Sequence, residues 1–94
     1  IADPNAYALI VEGDSMSPRI NSGDVVIISP NSPVVTRSVA AVAIHGEERT
    51  LKTVIFLPGG RILLQPENPT FTPLVLQETD VTLLGRVVER RERL

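Results

Sequence analysis

The chain has 94 residues, 43% hydrophobic but only 3% aromatic, and a formal net charge of −2. That is enough chain for one domain, 1–94, with a core of Val, Ile, Leu and Ala, and the charge gives these residues no electrostatic case for binding nucleic acid. With no cysteine and a lone histidine, a disulfide framework, a thiolate metal site and a zinc cluster are all excluded, and no cofactor is expected.

No apolar run approaches the roughly 18 residues that a membrane span requires. No basic-then-apolar segment opens the chain. The expectation is a soluble, cytoplasmic protein without a membrane partner.

Extended segments dominate in chain order. Residues 7–11 and 25–29 are short apolar runs rich in branched side chains and bounded by turn formers. Between them, one helical turn at most is expected near 17–20. A third strand is expected at 39–44. His45-Gly46-Glu47-Glu48 then turns the chain into a strand over 49–57. Pro58-Gly59-Gly60 makes a second hairpin, because glycine supplies the positive φ of tight turns. A strand over 61–65 returns from it. Residues 66–73 carry three prolines and are expected to form an irregular loop, since proline cannot donate to a ladder. Strands over 74–77 and 81–89 complete an all-β, mainly antiparallel domain, sheet-like or barrel-like. The mixed charges of Arg90-Arg91-Glu92-Arg93 predict a solvated end.

Two stretches carry chemistry. Glu12-Gly13-Asp14-Ser15-Met16-Ser17-Pro18 places a serine on a glycine-preceded polar turn. Glu48-Arg49-Thr50-Leu51-Lys52 places a lysine in a strand 37 positions later. A serine hydroxyl needs a base to become a nucleophile, and a lysine is that base when burial removes its proton. On the turn alone, Ser15 reads more readily as simple turn chemistry than as a nucleophile. Lys52 reads by default as a surface residue. Strand alternation, however, puts Thr50, Lys52 and Val54 on one face, opposite Arg49, Leu51, Thr53 and Ile55. Lys52 then has no strongly polar neighbour on its own face.

Other groups are weaker candidates. His45 invites a triad with Asp14, Asp24 or Asp80, but a tight polar turn is not the buried, rigid setting of a triad base. Glu47 and Glu48 are adjacent, so a strand would point them apart, against an acid–base pair. Met16 is expected to pack.

These stretches resemble the LexA/UmuD-like (peptidase S24-like) family of serine–lysine autopeptidases, which includes the C-terminal domains of phage repressors. Three blocks carry the resemblance over about residues 5–89. The first is Val11-Glu12-Gly13-Asp14-Ser15-Met16 with Ile20, Gly23 and Asp24. The second is the segment ending in Lys52. The third is Leu64-Gln65-Pro66-Glu67-Asn68-Pro69 with Phe71, Pro73 and Leu74, and then Leu84-Gly85-Arg86-Val87-Val88.

The resemblance implies that Ser15 is the nucleophile and Lys52 its base. Thr50 would orient the amine. The N–H of Ser15, with that of Asp14, would form the oxyanion hole, Asp14 being otherwise a turn residue. Glu67 and Asn68 would hold a loop by hydrogen bonds. The family implies a homodimer and a RecA filament on single-stranded DNA as the trigger of cleavage in the DNA-damage response. The strand over 81–89, apolar and terminal, is the expected dimer surface. Family members cut an Ala-Gly bond upstream of the serine, yet this sequence has no Ala-Gly pair and only fourteen residues before Ser15. The expectation is a C-terminal domain or cleavage product, whose parent would bind DNA through an N-terminal helix-turn-helix domain. A UmuD-like polymerase accessory subunit and a non-catalytic dimerisation or sensor module are the alternatives. A signal peptidase would need a membrane anchor.

Overall fold

The computed structural model describes residues 3–47 and 49–92. Two sequence expectations involve residues outside that set, Glu48 in the 45–48 turn and Arg93 in the tail. Seven strands run in chain order: β1 (Tyr7–Ile10), β2 (Val25–Ser29), β3 (Ser38–Ile44), β4 (Arg49–Leu57), β5 (Arg61–Gln65), β6 (Leu74–Gln77) and β7 (Val81–Arg91). A single turn of 3-10 helix, Glu78–Asp80, precedes β7. All seven strands form one sheet in the order β1-β2-β7-β3-β4-β5-β6. Every described pairing is antiparallel, so the all-β expectation holds. None of these pairings joins β6 to β1, and the sheet is open. Among the described residues, no helix is long and apolar enough to cross a membrane.

β3 explains the layering. Its sequence, Ser-Val-Ala-Ala-Val-Ala-Ile, is apolar almost throughout, as expected of a strand covered on both faces. Val39 and Ala41 join one buried cluster with Val11, Met16, Ile20 and Ile28. Ala40 and Val42 join another with Val54, Ile62 and Leu64. The two-residue period sends alternate side chains to opposite sides. Each fully buried Val, Ile or Leu stabilises the fold by roughly 1.5–3 kcal/mol.

The strands differ from expectation at their ends. β1 stops at Ile10, and Val11 stays beside the chain leading into β2, donating its N–H to Asp24 O at 2.9 Å and accepting from Gly23 N at 2.8 Å. β7 is longer than the expected 81–89, because β2 supplies partners as far as Val25 opposite Arg91. The strand thus runs into the tail, whose described residues, Arg90 to Glu92, are exposed as expected of a solvated end. Arg90 belongs to the strand, and its guanidinium reaches the buried Asp24 carboxylate at 3.1 Å and Glu92 at 3.1 Å. Hydrogen bonds to Asp24 and Glu92 raise the Arg90 pKa further above its ordinary value.

The ground for placing a dimer surface on the terminal strand is corrected. β7 lies between β2 and β3, pairing with β3 from Val81 to Arg86 and with β2 from Arg86 to Arg91. It is not a free edge. The edges are β1 and β6. Ahead of β1, Asp3 anchors the chain: it accepts from Ser29 Oγ at 2.6 Å and from Asn31 N at 2.9 Å. The Ser29 hydroxyl, helped by the amides of Asn31 and Asn5, holds the Asp3 carboxyl down to about 2.

Gly85 sits where β7 passes from β3 to β2, opposite Ala41. A Cβ there would lie 2.7 Å from Ile28 Cγ2 and 3.1 Å from the backbone of Pro30. Ile28 is fully buried, so neither neighbour yields freely. Gly85→Ala is expected to lower stability by about 1–3 kcal/mol through overpacking. A urea titration checks this; a midpoint unchanged from the parent chain would contradict the close approach.

Candidate active site

Gly13 opens the site. Its φ of 85° is one that L side chains rarely adopt, and it bends the chain out of the β1 direction. The turn that follows is held locally by Ser17 N donating to Asp14 O at 3.1 Å and Ile20 N donating to Met16 O at 2.9 Å. These bonds close a hydrogen-bonded turn where one helical turn at most is expected near 17–20; the chain forms no helix there, and its Ser17–Pro18 peptide is cis. Met16 and Ile20, 2% and 3% exposed, fix the turn to the core. Met16 therefore packs, as expected, and Ser15 is left between that buried anchor and the exposed Asp14.

The 66–73 loop braces the same turn from outside. Asn68 donates its backbone N–H to Ser15 O at 3.0 Å and its side-chain Nδ2 to Asp14 O at 3.0 Å. Its Oδ1 accepts from Thr70 N and Thr70 Oγ1. Glu67 pairs with Arg19 at 3.3 Å. The structural part expected of Glu67 and Asn68 is thus visible as bonds to the serine turn.

Lys52 enters from β4. Its cross-strand partner is Ala40, and Thr50 faces Val42, so the amine rises from an apolar surface. Nζ reaches Ser15 Oγ at 3.3 Å, Thr50 Oγ1 at 2.9 Å and Leu51 O at 3.1 Å. No described carboxylate forms an ion pair with it. Burial therefore acts unopposed and pushes the Lys52 pKa below its ordinary value. Ser15 and Lys52, 37 positions apart, meet here.

The remaining candidates lie elsewhere. His45 caps the β3–β4 turn with φ 52°. Its Nδ1 is 3.6 Å from Asp80 Oδ1, with both side chains well exposed, and no described hydrogen bond joins either to Ser15. Asp24 is buried against Arg90 rather than against an imidazole. Among the described hydrogen bonds, the N–H groups of Asp14 and Ser15 donate to no acceptor, which leaves them open to a ligand.

A cleft of about 390 Å³ opens beside Ser15. One wall is β1 and the chain leading to Met16; the other is the start of β4, Arg49 to Leu51. Tyr7, Leu9 and Ile10 present exposed apolar surface along the first wall. Sequence reasoning did not find this cleft, nor Arg49 in it. It also missed Leu51 O as the third partner of the amine, because a backbone carbonyl leaves no mark in the sequence. The Asp24–Arg90 pair had one signal, a carboxylate heading an apolar strand, which a buried ion pair would explain.

Comparison with known proteins gives the family. The family described as Peptidase S24-like matches residues 1–88, and the chain belongs to that family. The LexA repressor of Geobacter sp. (strain M21) is 36% identical over 91 residues, covering 94% of this chain and 44% of the relative. The LexA repressor of Oceanobacillus iheyensis is 36% identical over 87 residues, covering 92% of this chain and 41% of that protein. That of Clostridioides difficile is 33% identical over 87 residues, covering 88% and 39%. This chain thus spans less than half the length of these curated relatives.

Lys52 is the only lysine in the chain, so its titration can be followed alone. An NMR titration of its side-chain Cε–Hε signals is expected to give a midpoint below the ordinary 10.5. Between that midpoint and 10.5 the unfolded chain binds more protons at this site than the folded one, so the site's contribution makes stability rise with pH across the window. A midpoint at or above 10.5 would contradict the desolvated setting.

Proposed function

We propose that this chain is the self-cleaving and dimerising domain of a LexA-like transcriptional repressor, with Ser15 and Lys52 as its catalytic pair. The observation that carries the reading is the 3.3 Å contact between Ser15 Oγ and a half-buried amine that no described carboxylate neutralises. A lysine tied to Asp or Glu would be held charged; this one is pushed toward the neutral form that accepts a proton.

The chemistry follows. Neutral Lys52 Nζ takes the Ser15 hydroxyl proton as Oγ bonds to the scissile carbonyl carbon. The carbonyl oxygen gains charge and is met by the open N–H groups of Ser15 and Asp14. The peptide C–N bond then breaks, and Lys52 returns the proton to the leaving amine. Water, deprotonated in turn by Lys52, releases the acyl group from Ser15. Thr50 Oγ1 and Leu51 O fix where Nζ points.

Keeping an ordinary lysine neutral at pH 7 costs roughly 4–5 kcal/mol, at about 1.36 kcal/mol per unit. That is a large share of the roughly 5–15 kcal/mol that stabilises a domain. The cleaving form is therefore a minor state, and a partner that favours it raises the rate. A RecA filament is the partner of this reading, and repressor cleavage in the damage response is its consequence. DNA binding would belong to a segment of the parent protein outside these residues.

Cleavage by the intact parent is expected to accelerate from pH 7 to pH 10 without any partner, about tenfold per unit while Lys52 remains mostly protonated. Ser15→Ala is expected to abolish cleavage. Lys52→Arg is expected to abolish it too, because a guanidinium stays protonated at any usable pH. A gel time course reads all three. A flat profile, or undiminished cleavage in Lys52→Arg, would remove the lysine as base.

A repressor that reads two half-sites has matching two-fold symmetry. The domain is therefore expected to be a homodimer at tens of micromolar by light scattering. A monomer mass throughout that range would remove the dimerising role.

A further inference from the structure

The cleft beside Ser15 holds two opposite charges that do not neutralise each other. Arg49 and Leu51 share a face of β4, opposite Ala43 and Ala41 of β3. Leu51 and Ala41 are buried in the cleft floor. Arg49 lies one step further out on the same face, exposed at the mouth. Glu12 lines the other wall, also exposed. Neither makes an ion pair with another described residue. Among the described residues, no other Arg, Lys, Asp or Glu lines the cleft. The first wall also includes β1, an edge strand paired only with β2. Its free backbone edge suits an extended segment, whose successive side chains point to opposite walls.

We propose that Arg49 is a specificity-determining residue, selecting an extended peptide that carries an acidic side chain near the bond to be cut. This names the substrate class of the cleft and rests on the peptidase reading above. A guanidinium receives a carboxylate through two parallel N–H donors, and a lysine placed there would meet like charge. Glu12 acts in the opposite sense on its own wall, repelling a second carboxylate. The apolar floor of Leu51 and Ala41 takes the side chain between them.

The test uses the full 94-residue chain carrying Ser15→Ala, so that peptides bind without being cut. Fluorescein-labelled decapeptides centred on Ala-Gly, with one Glu or one Lys scanned through the flanks, are titrated by anisotropy. At one flank position Glu is expected to bind about tenfold more tightly than Lys, the discrimination typical of a matched against a mismatched charge. Arg49→Glu is expected to invert that order, and Arg49→Gln to flatten it. With Ser15 restored, the same ranking is expected in kcat/KM for cleavage in trans. A Glu–Lys ranking that Arg49→Glu leaves intact, or no binding of any peptide up to millimolar concentration, would overturn the assignment. Arg49-dependent binding without cleavage would uphold it while defeating the peptidase reading. Cleavage with no dependence on Arg49 would do the reverse.

Discussion

A half-buried amine that no described carboxylate neutralises is the constraint around which this molecule is arranged. Lys52 Nζ is met by a hydroxyl on either side and a carbonyl behind. All three are neutral acceptors, so they position the amine without restoring what desolvation takes from its charged form. Such a setting is unfavourable by itself and persists only where the surroundings leave no easier alternative. β3 supplies that surrounding. Its alanines at 40 and 41 are small enough for both sides of the sheet to close over it, and Ala40 lies directly opposite Lys52.

The hydroxyl partner must be equally well fixed, because an amine can just as well turn to solvent. Ser15 is on a turn, and turns move. This one is bound from below by Met16 and Ile20 and from outside by Asn68, which bonds to the carbonyls of both Asp14 and Ser15. A further tie runs through Asp24. Its backbone oxygen receives Val11 N, its carboxylate receives Asn21 N and Arg90, and the start and end of the serine loop are thereby fastened to β7. The polar groups around the site thus act mainly on backbone and on each other, leaving the amine unneutralised.

Much of this was legible in the sequence, for physical reasons. Two-residue alternation and turn formers gave the strands to within a residue or two, since side-chain period and burial are the same fact seen twice. Alternation also put Thr50 beside Lys52, and the bond at 2.9 Å follows from it. What alternation cannot give is strand order. Nothing local in 81–91 says that it inserts between β2 and β3, and so a strand that reads as terminal was taken for an edge. The Arg90–Asp24 bond is hidden for the same cause: in a string of mixed charges, only the tertiary position of Asp24 distinguishes one arginine from its neighbours. The cleft was invisible because its walls come from β1 and β4, which are far apart in the sheet.

The place of β7 has a consequence for how the chain comes to life on the ribosome. β2 and β3 do not pair with each other; β7 joins them, and it follows every other strand in sequence. The segment bearing Ser15 and the hairpin bearing Lys52 can each begin to form as they emerge, but the ladder that fixes one against the other waits for Val81–Arg91. Contacts of such long sequence separation form late, after the cost of closing the loop has been met. A nascent chain that has reached Lys52 therefore carries Ser15 and Lys52 without the frame that holds them together. Any truncation that removes β7 therefore takes away the ladder joining the two halves of the sheet without touching Ser15 or Lys52.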